Sequence, residues 1–275
     1  MKRTAALLAV TAVVITACGG GDDATETTTI ADPGAAVLSV TSEGGFVPVE
    51  FNLDRMPRYL VTGDRTLYYQ GPVPAIFPGP ILANVQVTSI DAASWDEIMD
   101  LVERLGLPDI DERIDNSGAE MVADASTEFI TYYDESGAHR LGVYALGLTE
   151  GAGSDDRLFA GEIVEILDGA TATGESTTYT PDRLQVAAGP GTAEPGISTV
   201  EPWPIETAFA EMDDWGAGWS CTTVEGDSVE SLLATFSAAN QATLWDTGSE
   251  TLAIRARPLL PGETGCGGAP QGMSG

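Results

Sequence analysis

Short runs that alternate apolar and polar residues, each closed by glycine, aspartate or proline, recur along most of this chain. That pattern confines it to a fold rich in antiparallel sheet. Residues 37–41 alternate and stop at Gly44-Gly45. Residues 59–62 and 66–69 flank Gly63-Asp64-Arg65, which predicts a hairpin with a short turn. "ANVQVTSI" alternates again, and "TEFITYY-DESG-AHRLGVYAL" predicts a second hairpin turning at residues 134–137. "RLQVAA", "CTTVEG", "ATLW" and "TLAIRARPLL" complete the strand candidates. "PVPAIFPGP" carries four prolines in nine residues, so it is loop or edge and not helix.

Three stretches change period from two to 3.6. In "DAASWDEIMDLVERLGL", Ser94 and Glu97 have capping-box spacing, and Trp95, Ile98, Leu101, Val102 and Leu105 share one face. Gly106 is its expected C-cap and Pro108 its stop. "DDRLFAGEIVEILDG" places Leu158, Phe159, Ile163 and Leu167 on a helix. "DSVESLLATFSAAN" starts at Asp227, with Glu230 three on and an apolar face of Val229, Leu232, Leu233 and Phe236. The expected class is therefore α+β: antiparallel sheets with one main helix packed on each, in two strand–helix–strand units. The Gly-, Thr- and Pro-rich residues 169–200 hold the boundary. The expected units are an α+β domain at 37–188, a smaller α+β unit at 189–266 and a flexible tail at 267–275.

The N-terminal segment reads as an export signal. Lys2 and Arg3 precede an apolar run that ends at Ala17, too short to cross a bilayer, which takes about 20 residues. Ile15-Thr16-Ala17-Cys18 resembles a bacterial lipobox. The resemblance implies that residues 1–17 are a signal peptide and that Cys18 carries diacylglycerol, with acyl chains such as palmitate as its membrane anchor. Two acyl chains give stable anchoring, at about 0.8 kcal/mol per buried CH₂. Residues 18–36 are glycine, threonine and acid with few large apolar side chains, which predicts a disordered acidic tether reaching roughly 20–25 Å. The expected location is the extracytoplasmic face of the cell membrane.

Charge excludes several classes. The chain holds 42 acidic and 12 basic side chains, for a formal charge of −30. Without Lys2 and Arg3, ten arginines and no lysine remain against 42 acids, or −32. The balance argues against nucleic acid, whose phosphates need a positive surface, and against the body lying flat on anionic lipid. The acids are scattered, which reads as a solvated surface; a docking face for a cationic partner or for Ca²⁺ is the alternative. In an oxidising compartment, Cys221 and Cys266 are most simply a disulfide closing a loop of 45 residues, worth about 4 kcal/mol. Two free thiols are the alternative.

Motifs that carry chemistry are few. Asp246-Thr247-Gly248-Ser249 resembles the tetrad of pepsin-like proteases, whose two aspartates share a proton. No second Asp-Thr/Ser-Gly occurs, and strand, Asp-x-Gly, strand equally describes a turn. His139 is the only histidine and reads as an exposed strand residue. Gly-x-Ser-x-Gly and a phosphate loop are absent. The acidic loop 109–118 fits the EF-hand pattern only in part, because Arg113 sits where an oxygen ligand belongs; Asp111, Asp115 and Asn116 form a looser alternative. Trp203, Trp215 and Trp219 lie in one loop-rich stretch. They are either anchors for a protein or glycan partner or plugs against the core.

"GGFVP", "FPGP", "HRLGVYALG", "ANQATLW" and "RPLLPGETGC" resemble blocks of an uncharacterised family of actinobacterial exported proteins and lipoproteins, across residues 37–266. The resemblance implies an exported α+β body and a terminal cysteine paired with one upstream. It implies no activity. The expected function is a lipid-anchored, non-enzymatic binding or envelope-associated module, with no cofactor and no metal. A secreted, glycosidase-like hydrolase using carboxylates and a calcium-dependent binding module are the alternatives.

Overall fold

The computed structural model describes residues 32–45, 52–119, 122–148 and 154–266. The expected signal peptide, most of the tether, Cys18 and the tail therefore lie outside the described residues. The chain is a mixed α+β protein in which strands predominate, with two sheets and three α-helices among the described residues. In chain order these are β1 (Ala36–Gly44), β2 (Tyr59–Thr62), β3 (Thr66–Gln70), β4 (Val85–Ser89), α1 (Ala92–Arg104), β5 (Glu112–Asp115), β6 (Ser126–Asp134) and β7 (Gly137–Tyr144). There follow α2 (Asp155–Thr173), β8 (Thr177–Thr178), β9 (Arg183–Pro190), β10 (Val200–Pro202), β11 (Asp213–Gly216), β12 (Trp219–Glu225), α3 (Ser228–Ala238), β13 (Leu244–Asp246) and β14 (Thr251–Pro258).

The larger sheet has the order β5-β7-β6-β1-β2-β3-β4-β8, and the smaller β10-β13-β14-β9-β12-β11. All neighbours are antiparallel except one pair at an edge of each sheet, β5 with β7 and β10 with β13. Both hairpins turn where the sequence predicts. In the first, Arg65 takes the left-handed conformation, φ 67°, that closes the three-residue connection. In the second, Asp134 pairs with Gly137 across two residues.

The helices form for local reasons, with one difference from the spacing argument. Asp91, not Ser94, caps α1: its carboxylate accepts from the backbone N–H groups of Ala93 and Ser94, both at 3.0 Å. Aspartate carries a full charge to the positive end of the helix and satisfies two donors at once. Gly106 follows α1 at φ 63°, a conformation that favours glycine. α1 buries Ile98, Leu101 and Val102, and packs against α2, which buries Ala160, Ile163 and Leu167. The scheme of one helix per strand–helix–strand unit is thus not confirmed: α1 and α2 pack together between strands of the larger sheet, and α3 packs on the smaller.

The expected boundary at 188 and 189 falls inside β9, the central strand of the smaller sheet. The chain passes between sheets across residues 179–182. β9 is buried on both faces. Leu184, Val186 and Ala188 share a core with Val229, Leu232 and Phe236 of α3, while Ala187 packs with Leu53 and Trp219. Leu53 comes from the β1–β2 connection, and Ile81, from the proline-rich segment, enters the α3 core. Residues distant in sequence therefore complete the second core, and residues from Asp32 onward form one compact unit.

Candidate functional site

The structure separates the three loop tryptophans. Trp219 is 8% exposed and packs with Trp215 on Leu53 and Ala187, so both serve as plugs on one face of the smaller sheet. Gly189 lies directly beneath Trp219: a Cβ there would stand 2.4 Å from the indole. Trp203 goes elsewhere. It packs at the edge of the α3 core, edge-on to Phe209 at 6.4 Å, and its indole N–H donates to the Thr207 carbonyl at 3.1 Å.

Trp203 and Trp245 line one cleft of about 530 Å³, with Glu201, Pro202, Asn240 and Thr243. Two features of the fold build it. β10 and β13 run parallel, pairing Glu201 with Trp245, and the Trp203 N–H donates to the Asp246 carbonyl at 3.0 Å. Trp245 is 1% exposed and stacks edge-on against Phe236 at 5.9 Å. Its indole N–H has no acceptor among the described residues. A buried donor without a partner costs about 1–3 kcal/mol, so this indole N–H calls for an explanation. Trp245 was legible in "ATLW" only as a strand residue; no local signal separates a core tryptophan from one that lines a cavity.

A second cleft, of about 540 Å³, lies beneath the proline-rich segment. Asp54, Arg55, Gln70, Gln241 and Arg255 give it polar character, and Val73, Ile76 and Ile81 its apolar wall. Asp54 is half-buried, and desolvation pushes its carboxyl above the ordinary range, partly offset by Arg255. Among the described residues no second carboxylate lines this cleft. An adjoining cleft of about 440 Å³ shares Arg55, Met56 and Gln70 and adds Arg58, which pairs with Asp168 at 2.9 Å.

His139 is not the exposed strand residue that the sequence suggests. It is 7% exposed, because β7 lies between β5 and β6 and the side chain is covered by the segment before β5. Nδ1 lies 2.6 Å from the Ile110 carbonyl, and Nε2 lies 3.1 Å from Asp134 and 2.9 Å from Ser136. A carbonyl on one nitrogen and a carboxylate on the other favour a proton on each. The pKa of the ring is accordingly raised, first by the Ile110 carbonyl and then by Asp134. Ser136 donates its own proton to Asp134 at 2.6 Å, so Ser, His and Asp meet here without forming a base–nucleophile relay.

The remaining candidates serve as local supports. Asp246 accepts from the Gly248 N–H at 2.8 Å, with Gly248 at φ 86°, which makes the protease-like tetrad the β13–β14 turn. Asp115 accepts from Ser117 at 2.9 Å and from Ser154, the N-cap of α2, and so joins the acidic loop to that helix. Among the described residues no group of three His, Cys, Asp or Glu side chains could hold a metal ion. Cys221 and Cys266 stand as a disulfide-compatible pair, S–S 2.04 Å and Cα–Cα 5.8 Å. No described helix is long and apolar enough to cross a membrane. No family model, curated protein or solved structure matches this chain.

Proposed function

We propose that this chain is a lipid-anchored, extracytoplasmic binding module, akin to the actinobacterial exported lipoproteins it resembles, and that its Trp203–Trp245 cleft takes a neutral, hydroxyl-rich ligand of the glycan class. One observation carries the reading: Trp245, whose buried indole N–H has no acceptor among the described residues, borders the same cavity as the half-buried Trp203. Aromatic rings offer an apolar face to the C–H side of a sugar, and the N–H, Glu201 and Thr243 supply a donor, an acceptor and a group that is both. A net charge of −30 with no acidic run at the cleft favours an uncharged ligand over an anionic one. The finer organisation, two strand–helix–strand units behind an acidic tether, belongs to the same proposal. A carboxylate hydrolase has less support, because among the described residues Asp54 stands in its cleft without a second acid.

Two experiments test the two halves. Mass spectrometry of the native protein, with fractionation of Cys18→Ala, tests the anchor: an unlipidated N-terminus or a membrane-bound variant overturns it. A glycan array probed with the chain from residue 19, followed by calorimetry of the hits, tests the cleft. Binding that Trp203→Ala weakens by tenfold or more supports it, at about 1.4 kcal/mol per decade. No glycan hit, or hits indifferent to Trp203 and Trp245, overturns it.

A further inference from the structure

We infer that residues 71–84 form a wedge that inserts into the surface of a phospholipid bilayer. The chain is 20% charged, yet no charged side chain occurs from Thr66 through Ile90. Within that stretch Val73, Ile76 and Phe77 are 52%, 65% and 69% exposed. Other exposed large apolar residues are spread over the body, whereas these three fall within five positions. They are also held out by the fold. The Gly71 N–H donates to the Asn84 carbonyl at 2.7 Å, and the Asn84 side chain donates to the Pro72 carbonyl at 2.8 Å, which closes the loop at its base. The far side is pinned by Ile81 in the α3 core and by the Gln241 N–H, which donates to the Gly79 carbonyl at 2.9 Å. Four prolines stiffen the remainder. Apolar side chains fixed outward in this way keep their exposure cost without relief from the protein itself.

Charge decides the occupant. Arg55 and Arg255 line the cleft that Val73 and Ile76 wall, and Arg58 joins Arg55 in the adjoining one. Asp54 lines the first cleft and Asp168 pairs with Arg58, so three arginines against two carboxylates leave one net positive charge beside the apolar tip of a strongly acidic protein. The Arg255 guanidinium makes no hydrogen bond and no ion pair within 4.0 Å among the described residues, while Asp54 is the acid whose field it feels. An uncharged tip backed by long cationic side chains matches a bilayer, whose acyl region takes the tip and whose phosphates meet the guanidinium groups. A charged peptide would find no complementary charge on the tip itself.

The test is vesicle flotation of the chain from residue 19, which retains the whole compact unit and lacks Cys18. Its outcome is therefore independent of the acyl anchor and of the glycan cleft. The chain should float with phosphatidylcholine vesicles. Ile76→Ser with Phe77→Ser should lower the partition coefficient at least about tenfold, since each such side chain transferred from water strengthens partitioning by roughly ten- to a hundredfold. The thermal midpoint should not change, because both side chains are mostly exposed. Leu158→Ser, at a residue 56% exposed on α2, should leave flotation intact. A parent chain that stays in the dense fraction, a loop variant that floats equally well, or a loss shared by Leu158→Ser overturns the wedge. So does a vesicle-free dimer that the loop variant dissolves, which would assign the tip to a second copy.

Discussion

His139 Nε2 lies 3.1 Å from Asp134 Oδ1 across the turn between β6 and β7, while Nδ1 of the same ring lies 2.6 Å from the Ile110 carbonyl. One imidazole ring thus ties the tip of a hairpin to the segment that leads into the parallel edge strand. Three groups face it with charge or a ring. They are Asp134, Asp111 and Tyr132, whose ring centroid is 6.2 Å away.

That tie makes stability depend on pH in both directions. His139 titrates above its ordinary 6.5 in the folded state, so its contribution is complete below about 6.5 and is lost as pH rises through the elevated value. Asp134 is held down to about 2 from 3.8, chiefly by Ser136 and then by His139. Its contribution is present above 3.8 and is lost as pH falls towards about 2. Urea midpoints measured across this range should peak between about pH 4 and 6.5. His139→Gln should remove the alkaline decline; an unchanged decline would refute this assignment.

Reduction, or Cys221→Ala with Cys266→Ala, should cost about 4 kcal/mol, because the loop released spans 45 residues. Guanidinium unfolding with and without reductant measures it. The midpoint of the double variant should be insensitive to reductant.

Gly189→Ala should destabilise by about 1–3 kcal/mol, since the new methyl would meet the Trp219 ring at 2.4 Å and a packed core resists added volume. The near-ultraviolet circular dichroism of Trp219 should change with it. Gly161→Ala on α2 has nothing within 4 Å of the new atom and should stabilise the helix by about 0.5–1 kcal/mol.

Arg157 is 7% exposed and donates to the carbonyls of Ser117 (2.9 Å), Tyr144 (2.7 Å) and Ala145 (3.3 Å). Arg157→Met keeps much of the side-chain volume but leaves these acceptors unpaired, and should cost about 3 kcal/mol or more. Denaturant titration reads the loss. A cost below about 1 kcal/mol would mean that water replaces the guanidinium.

Trp245→Phe removes a buried donor that has no acceptor and also some buried volume. The two effects oppose each other, so stability should change by less than about 2 kcal/mol. Glycan affinity should fall at the same time. Affinity that survives this substitution would dissociate the cleft from the indole N–H.

The sequence by itself determined the local events. Alternation placed both hairpins, helical period placed α1, α2 and α3, and Asp-x-Gly marked the β13–β14 turn, because each depends on neighbours within a few residues. Only the tertiary structure decided what those elements enclose. β9 reads as one short strand in "RLQVAA", yet it is the central strand that Leu53 covers on one face and α3 on the other. Three tryptophans close in sequence divide between two plugs and one cleft wall, and His139 is buried by a segment 29 residues away. Burial, an unpaired donor and an outward apolar tip are properties of the space between elements. That space is set by pairings distant along the chain, which no local pattern encodes.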